Sequence, residues 1–287
     1  INIYHFRRLA MINSRHVLNT SIALITVIES DLINIDSNNT HNTRLFEREA
    51  ILSFSHWRNN AGIYKDIPIY AVCITKNTIS KDTKDKFKEL NVTYIESYQA
   101  VTESFDCGFY NKPLGCKVLE ETLTEDILIH IDLDMYLMRE PTIPFKNACM
   151  VYDTHQLHKE RIHKNGEVID TYNTCYMVTK RKDKIFSKWW DKLKQLDEDY
   201  ILDRSEFDKL YDNLEYRKLE ELSFDLLSLD IEIYNIPNSL FGETYTPLAS
   251  MNKLELNNIT FHHYHIYTSL VEYNWFAGYR EYTKCFL

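Results

Sequence analysis

Several features that would point to particular classes of protein are missing from this sequence. No apolar run reaches the roughly 18 residues that a membrane-spanning helix needs. No basic block stands out and the net charge is −9, so nucleic acid is not expected as the main partner. The motifs G-x-G-x-x-G and G-x-x-x-x-G-K-[ST] are absent, which excludes the usual dinucleotide and P-loop sites.

The cysteines also lack the spacing of a metal cluster. The six residues are widely scattered and none forms a C-x-x-C pair, so a zinc site is not expected. A chain of 287 residues, 44% of them hydrophobic, can build a core without disulfides. We therefore expect free thiols in a reducing, cytoplasmic compartment. The first residue is Ile rather than Met, which is typical of a domain excised from a longer chain.

The N-terminal half alternates between strand-like and helix-like segments. Apolar, β-branched runs predict buried strands, and amphipathic runs between them predict helices. In chain order these segments are 22–28, 44–60, 67–75, 80–90, 92–95, 113–123 and 127–133. The order is typical of βαβ units in a parallel sheet that is covered by helices.

The C-terminal half has a more mixed pattern. Strands are predicted at 148–152, 174–179, 231–237 and 259–267, and a mostly helical stretch at 182–227. No repeat or low-complexity linker divides the chain. We therefore predict one α/β domain over 1–287, which begins with an N-terminal arm at 1–20.

Two aspartates follow the fourth predicted strand. The stretch DILIHIDLDMYLMREP starts as an apolar strand and then presents Asp132 and Asp134. Ligands of α/β sheets bind beyond the carboxyl ends of the strands, and a spacing of two puts both side chains on one side of an extended segment. Mg²⁺ or Mn²⁺ would relieve the repulsion between the carboxylates and leave positions for phosphate oxygens. The alternative is a polar turn with two solvated caps.

The segment LTEDILIHIDLDMYLMREP resembles the D-x-D segment of glycosyltransferases with the GT-A fold. The matching positions are Asp132, Leu133, Asp134 and Pro141. The resemblance implies a Rossmann-like α/β fold with a mixed, mostly parallel central sheet flanked by helices, over roughly 22–267. It also implies a nucleotide-sugar donor, most often a UDP-sugar, and a hydroxyl acceptor on a glycan, lipid or protein. Residues 22–135 would bind the donor, and 136–287 would form the acceptor side.

Three histidines within four positions, in FHHYHIY, supply a further candidate ligand. On a strand, His263 and His265 share one face and His262 takes the other. In the resembled family a histidine on a late strand completes the metal site, and His263 fits that pattern, with His265 and His262 as alternatives. Imidazole favours manganese, so the implied cofactor is Mn²⁺, or Mg²⁺, held by Asp132, Asp134 and His263. An edge strand whose histidines bind backbone carbonyls is the alternative.

The resemblance also assigns residues to the donor. The candidates are Thr26, Val27, Ile28, Arg44, Lys112, Asp132, Leu133 and Asp134. The first three end the first strand, where backbone groups would hold the base. Arg44 would reach a phosphate or stack on the base, and Lys112 would lie near the donor, with Lys117 as a weaker choice. For these basic residues a solvated surface charge is the alternative.

Acceptor-side residues come from two segments after the motif and from Asp153, which follows the predicted strand 148–152 and has a turn role as its alternative. YNTCYMV is similar to the family's N-[ST]-G strand, although Cys175 stands where glycine is usual, and LEELSFDLLSL resembles an acidic helix start. The candidates are Asp153, Asn173 and Thr174 for acceptor binding, and Glu220, Glu221 and Asp225 for catalysis. An inverting reaction would use one of the helix carboxylates as its base. The alternative for the three helix carboxylates is a place on the solvent-exposed face of an amphipathic helix.

Two other functions fit parts of the same sequence. A nucleotidyltransferase usually opens with a glycine-rich loop, but IESDLINIDSNN after the first strand has no glycine. A non-catalytic glycan-binding module, or an inactive relative, would keep the fold and use its 20 tyrosines and 4 tryptophans to stack on sugars. A rise in thermal stability that needs both Mn²⁺ and UDP would distinguish the enzyme from the binding module.

Overall fold

A computed structural model gives the fold of the chain. It describes residues 20–28, 45–76, 78–99, 110–141, 143, 149–153, 161–162, 168–169, 172–203, 219–236, 241–243 and 260–263. The predicted arm up to residue 19, Arg44 and His265 lie outside the described residues. None of the described helices is long and apolar enough to cross a membrane.

The secondary structure follows the predicted order of strands and helices. The strands are β1 (Ile22–Val27), β2 (Ile69–Cys73), β3 (Val92–Glu96), β4 (Ile127–Ile131), β5 (Met135–Leu137), β6 (Cys149–Asp153), β7 (Arg161–Ile162), β8 (Val168–Ile169), β9 (Tyr172–Lys180), β10 (Ile233–Ile236), β11 (Phe241–Glu243) and β12 (Phe261–His263). The helices are α1 (Leu45–Asn60), α2 (Lys81–Glu89), α3 (Asn111–Thr122), α4 (Ile185–Leu202) and α5 (Leu219–Ser228). Within the described part of the stretch predicted as mostly helical lie the helices α4 and α5.

A seven-stranded sheet forms the centre of the molecule, in the order β10-β6-β9-β4-β1-β2-β3. Within it only β9 runs against the other strands, which confirms the predicted mixed, mostly parallel α/β sheet. A second sheet has the order β11-β12-β5, and β7 pairs with β8. Strands from both halves of the chain thus join one central sheet.

Helices cover both faces of the central sheet because its inner strands are apolar on both sides. Along β1, Ile22 and Leu24 join the core cluster that contains Phe54 of α1 and Phe87 of α2. The alternate residues Ala23, Ile25 and Val27 belong to the opposite cluster, which is filled by α3, α4 and α5. Successive side chains of a strand point to opposite faces, so a continuous apolar run is what such a strand requires.

Arg58 on α1 ties together the segments that lead into β2 and follow α2. Its Nε donates to the Leu90 carbonyl at 2.9 Å, and its Nη1 donates to the carbonyls of Ile67, at 2.9 Å, and Lys65. Its Nη2 donates to the Asn91 carbonyl at 2.9 Å. The planar fork of the guanidinium allows one side chain to serve four acceptors.

Replacing Arg58 with lysine is expected to lower the free energy of unfolding by about 2 kcal/mol, because the ammonium reaches fewer of these carbonyls. Urea denaturation with an unchanged m-value measures the effect. The matched control is Arg48→Lys on the exposed face of the same helix, where a change below about 0.5 kcal/mol is expected. Equal effects at the two positions would contradict the role given to Arg58.

Candidate active site

The two aspartates lie where the chain passes from one sheet to the other. Strand β4 ends at Ile131, Leu133 and Asp134 form a turn, and the Met135 N–H donates to the Asp132 carbonyl at 3.2 Å. The prediction that the strand reaches residue 133 with both carboxylates on one extended segment is therefore wrong. The chain has to turn there because β5 belongs to the three-stranded sheet.

Four elements bring polar side chains together beside this turn. Lys112, near the start of α3, places its Nζ 3.0 Å from Asp132 Oδ2 and 3.6 Å from Glu220 Oε1 of α5. The ammonium also donates to Thr174 Oγ1 of β9 at 3.1 Å, and the Thr174 hydroxyl donates to Glu220 Oε1 at 2.9 Å. We call Lys112, Asp132, Thr174 and Glu220 the ammonium cluster.

A buried histidine holds the other oxygen of Asp132. His130 Nε2 lies 3.0 Å from Asp132 Oδ1, and His130 Nδ1 lies 3.4 Å from the Cys116 sulfur. Both side chains are buried, and sequence analysis missed both. A usable signal existed, since His130 precedes Asp132 by two positions and so shares its side of the strand.

The positive charge of Lys112 lies between the carboxylates of Asp132 and Glu220. Burial acts to lower the pKa of Lys112, but Asp132 and Glu220 outweigh it and hold that pKa above its usual value. Burial raises the pKa of Glu220, and Lys112 opposes the shift. Burial lowers the pKa of His130, against the pull of Asp132. Lys112 is therefore charged at neutral pH, whereas His130 favours its neutral form.

The predicted donor residues at the end of β1 are part of the sheet core. The Thr26 hydroxyl donates to the Ile131 carbonyl at 2.8 Å and thereby links β1 to the residue before the aspartate turn. Val27 packs against Gly115 of α3, where an added Cβ would come within 2.5 Å of the valine side chain. Ile28 is fully buried and its N–H donates to the Val72 carbonyl at 2.9 Å.

The acceptor-side candidates divide into two groups. Thr174 belongs to the ammonium cluster, and it is Glu220 of the acidic helix, not the half-buried Glu221, that contacts Lys112. Asp225 is fully buried and accepts from the Tyr172 N–H at 3.0 Å. Asn173 Oδ1 accepts from the Cys175 N–H at 2.9 Å. Thus Asp225 and Asn173 hold the backbone around β9.

Strand β12 brings the histidine segment to the aspartate turn. It pairs antiparallel with β5, and in this register His263 lies opposite Met135, the residue after Asp134. The side chains of His262 and His263, like that of Asp153 on β6, lie outside the described residues. The backbones of the predicted partners Asp134 and His263 are thus close in space, although the two residues are distant in sequence.

The chemistry of the described donors fits a hard divalent cation. Asp132 and Asp134 offer carboxylate oxygens, the ligand type that Mg²⁺ and Mn²⁺ prefer, and those of Asp132 also contact Lys112 and His130. Among the described side chains no group of three His, Cys, Asp or Glu residues forms a ready-made metal site. A third protein ligand would therefore have to come from a neighbouring segment, and β12 is the strand next to β5.

Comparison with known proteins gives structural neighbours and no family. No family model and no curated protein matches the sequence. Two crystal structures of the glycosyltransferase GlyE from Streptococcus pneumoniae TIGR4, one of them the apo form, are similar to the chain with a TM-score of 0.47 and identities of 11% and 12%. Each match covers 86% of this chain and 55% of GlyE, so the chain spans just over half the length of these neighbours. This similarity is too low to assign an activity.

Proposed function

We propose that the chain is a metal-dependent glycosyltransferase that moves a sugar from a nucleotide-sugar, with UDP-sugars favoured, to a hydroxyl of a glycan, lipid or protein. The observation that carries the proposal is the ammonium cluster beside the Asp132–Met135 turn, at the carboxyl end of β4. That edge of an α/β sheet is where ligands bind. The Lys112 cation beside the Asp132 carboxylate suits the binding of a diphosphate together with its metal ion.

In this proposal Asp132, Asp134 and His263 hold Mn²⁺, or Mg²⁺, which supplies positive charge to the diphosphate as it departs. Lys112 adds a second positive charge beside the turn, and its ammonium would donate to a phosphate oxygen. Leu133, in the turn and only 8% exposed, keeps water away from one side of the carboxylates. Arg44 stays a predicted contact to the donor.

The residue that activates the acceptor would come from α5. Glu221 and Asp225 are the candidate bases from the sequence, and Glu220 is the carboxylate that contacts Lys112. If the reaction inverts configuration, a carboxylate of α5 accepts the proton of the acceptor hydroxyl. Glu220 is the first choice by position, because it is the α5 carboxylate that lies 3.6 Å from the Lys112 ammonium.

The test is a thermal-shift measurement with Mn²⁺ and UDP, followed by a hydrolysis screen of nucleotide-sugars with Mn²⁺. We expect the wild-type melting temperature to rise when both are present, since a ligand at 100 times its Kd adds about 2.7 kcal/mol to stability. Asp134→Ala should abolish that rise and lower hydrolysis by at least about 100-fold.

The matched control is Asp191→Ala, an exposed carboxylate on α4 whose loss should leave the shift intact. Absence of a shift in the wild-type chain with every nucleoside diphosphate and Mn²⁺ would refute the proposal. A glycan-binding module would instead respond to free oligosaccharide without metal.

A further inference from the structure

We propose that His130 is a positioning residue that fixes the carboxylate of Asp132 for binding of the metal and diphosphate, and that the thiol of Cys116 sets the tautomer of His130. This inference rests on the proposed function. It adds two residues to the site, both on elements that frame it: Cys116 on α3 and His130 on β4.

The hydrogen bonds define which ring nitrogen carries the proton. The Asp132 carboxylate only accepts, so the contact of 3.0 Å at its Oδ1 requires a proton on His130 Nε2. The other ring nitrogen, Nδ1, faces the Cys116 sulfur and is left as the acceptor of that contact. Cys116 supplies the proton from 3.4 Å, and burial raises the pKa of its thiol, which keeps the S–H group intact. The order of donation is Cys116 to His130 to Asp132.

The two partners of Asp132 differ in how firmly they are held. His130 is 1% exposed, and its ring packs edge-on against Phe186 with centroids 6.3 Å apart. Lys112 is 18% exposed and ends a flexible four-carbon stem. When a phosphate oxygen attracts the ammonium, His130 keeps its bond to Asp132 Oδ1. Asp132 therefore stays oriented while Lys112 exchanges one anion for another.

The first experiment reads the tautomer in metal-free protein. Long-range ¹H–¹⁵N correlation spectra of labelled wild-type chain, with His130→Gln identifying the signal, should show a neutral ring protonated at Nε2. Cys116→Val should change that signal, whereas Cys116→Ser, which keeps a donor, should preserve the Nε2–H form. A ring protonated at Nδ1, or an imidazolium at neutral pH, would overturn the inference.

The second experiment reads the positioning effect by binding, with electron paramagnetic resonance of Mn²⁺ titrated with UDP. His130→Phe keeps a ring but removes the donor, and we expect the Kd for Mn²⁺–UDP to rise about 10- to 100-fold. His130→Gln, whose amide can donate to Asp132, should recover most of the affinity. The control is Thr179→Val, a buried polar residue that pairs with Leu128 near the other end of β4, with unchanged affinity expected.

The outcomes separate this inference from the proposed function. If the wild-type chain does not bind Mn²⁺–UDP, the proposed function fails, while the tautomer spectrum still tests the hydrogen-bond chain. If wild type binds and His130→Phe binds equally well, with circular dichroism showing that the variant is folded, the positioning role is wrong. Should His130→Phe not fold, His130→Gln and Cys116→Val decide the question through the spectrum and the Kd.

Discussion

Replacing Lys112 with methionine is expected to lower the free energy of unfolding by about 3 kcal/mol and to remove nucleotide-sugar hydrolysis. The ammonium lies between Asp132 and Glu220, and Glu220 is only 4% exposed. Without it, a buried carboxylate loses its counter-ion, and removing one partner of such a pair typically costs about 3–5 kcal/mol. The partial exposure of Lys112 and Asp132 puts the expected value at the lower end of that range.

A second substitution separates lost charge balance from lost packing. In the double variant Lys112→Met with Glu220→Gln, the buried group is neutral, so we expect about 1–2 kcal/mol of stability to return while hydrolysis stays absent. The control is Lys117→Met on the same helix, whose ammonium meets the exposed Glu121 at 3.6 Å. It should change stability by less than about 0.5 kcal/mol. Urea denaturation gives all three values, and no recovery in the double variant would argue against the charge-balance account.

Replacing Glu120 with alanine is expected to destabilise the fold by about 3 kcal/mol through the loss of a cap supplied by another helix. Glu120 on α3 is fully buried and accepts from the N–H groups of Phe186 at 3.1 Å and Ser187 at 3.0 Å. It also accepts from the Ser187 hydroxyl at 2.6 Å. Phe186 and Ser187 are the second and third residues of α4, and the N-cap residue Lys184 makes no side-chain cap hydrogen bond among the described residues.

The charge of Glu120 can be tested apart from its shape. Glu120→Gln keeps one acceptor oxygen but brings an NH₂ group against N–H donors, so we expect a loss of about 1–2 kcal/mol. Glu121→Gln changes the neighbouring, exposed side chain and should cost less than about 0.5 kcal/mol. Calorimetry of both variants measures the difference. Equal melting temperatures for the two would mean that the carboxylate does not stabilise α4.

The central sheet could be predicted from the sequence because the patterns that mark its strands and helices are local. A continuous apolar run such as β1 and a polar helix start such as Ser80 are visible within a few residues, and the Ser80 hydroxyl accepts from the Thr83 N–H at 3.2 Å as an N-cap should. Strands β5 and β11, each three residues long, are too short to show a period. The positions of β5 and β11 depend on their pairing with β12, and local sequence patterns do not reveal which strands pair.

The site was only partly predictable for a related reason. Asp132 and Lys112 stand out through the motif resemblance, but a buried histidine and thiol in an apolar stretch look like ordinary core residues. Glu220 and Glu221 differ by about 100° around the axis of α5, so their roles depend on the helix phase. A stretch predicted as mostly helical over 182–227 does not define that phase, whereas the packing of α5 does: it buries Glu220 and leaves Glu221 half-buried.

The pairing of β5 with β12 also bears on the order of events during protein synthesis. The chain up to β5 contains α1, α2, α3 and the parallel core of the large sheet, which can begin to pack as it leaves the ribosome. His263 reaches its place opposite Met135 only after the segments from β6 to β12 have also been made. Nascent chains that stop short of β12 would therefore contain Asp132 and Asp134 but not the residue proposed to complete the metal site.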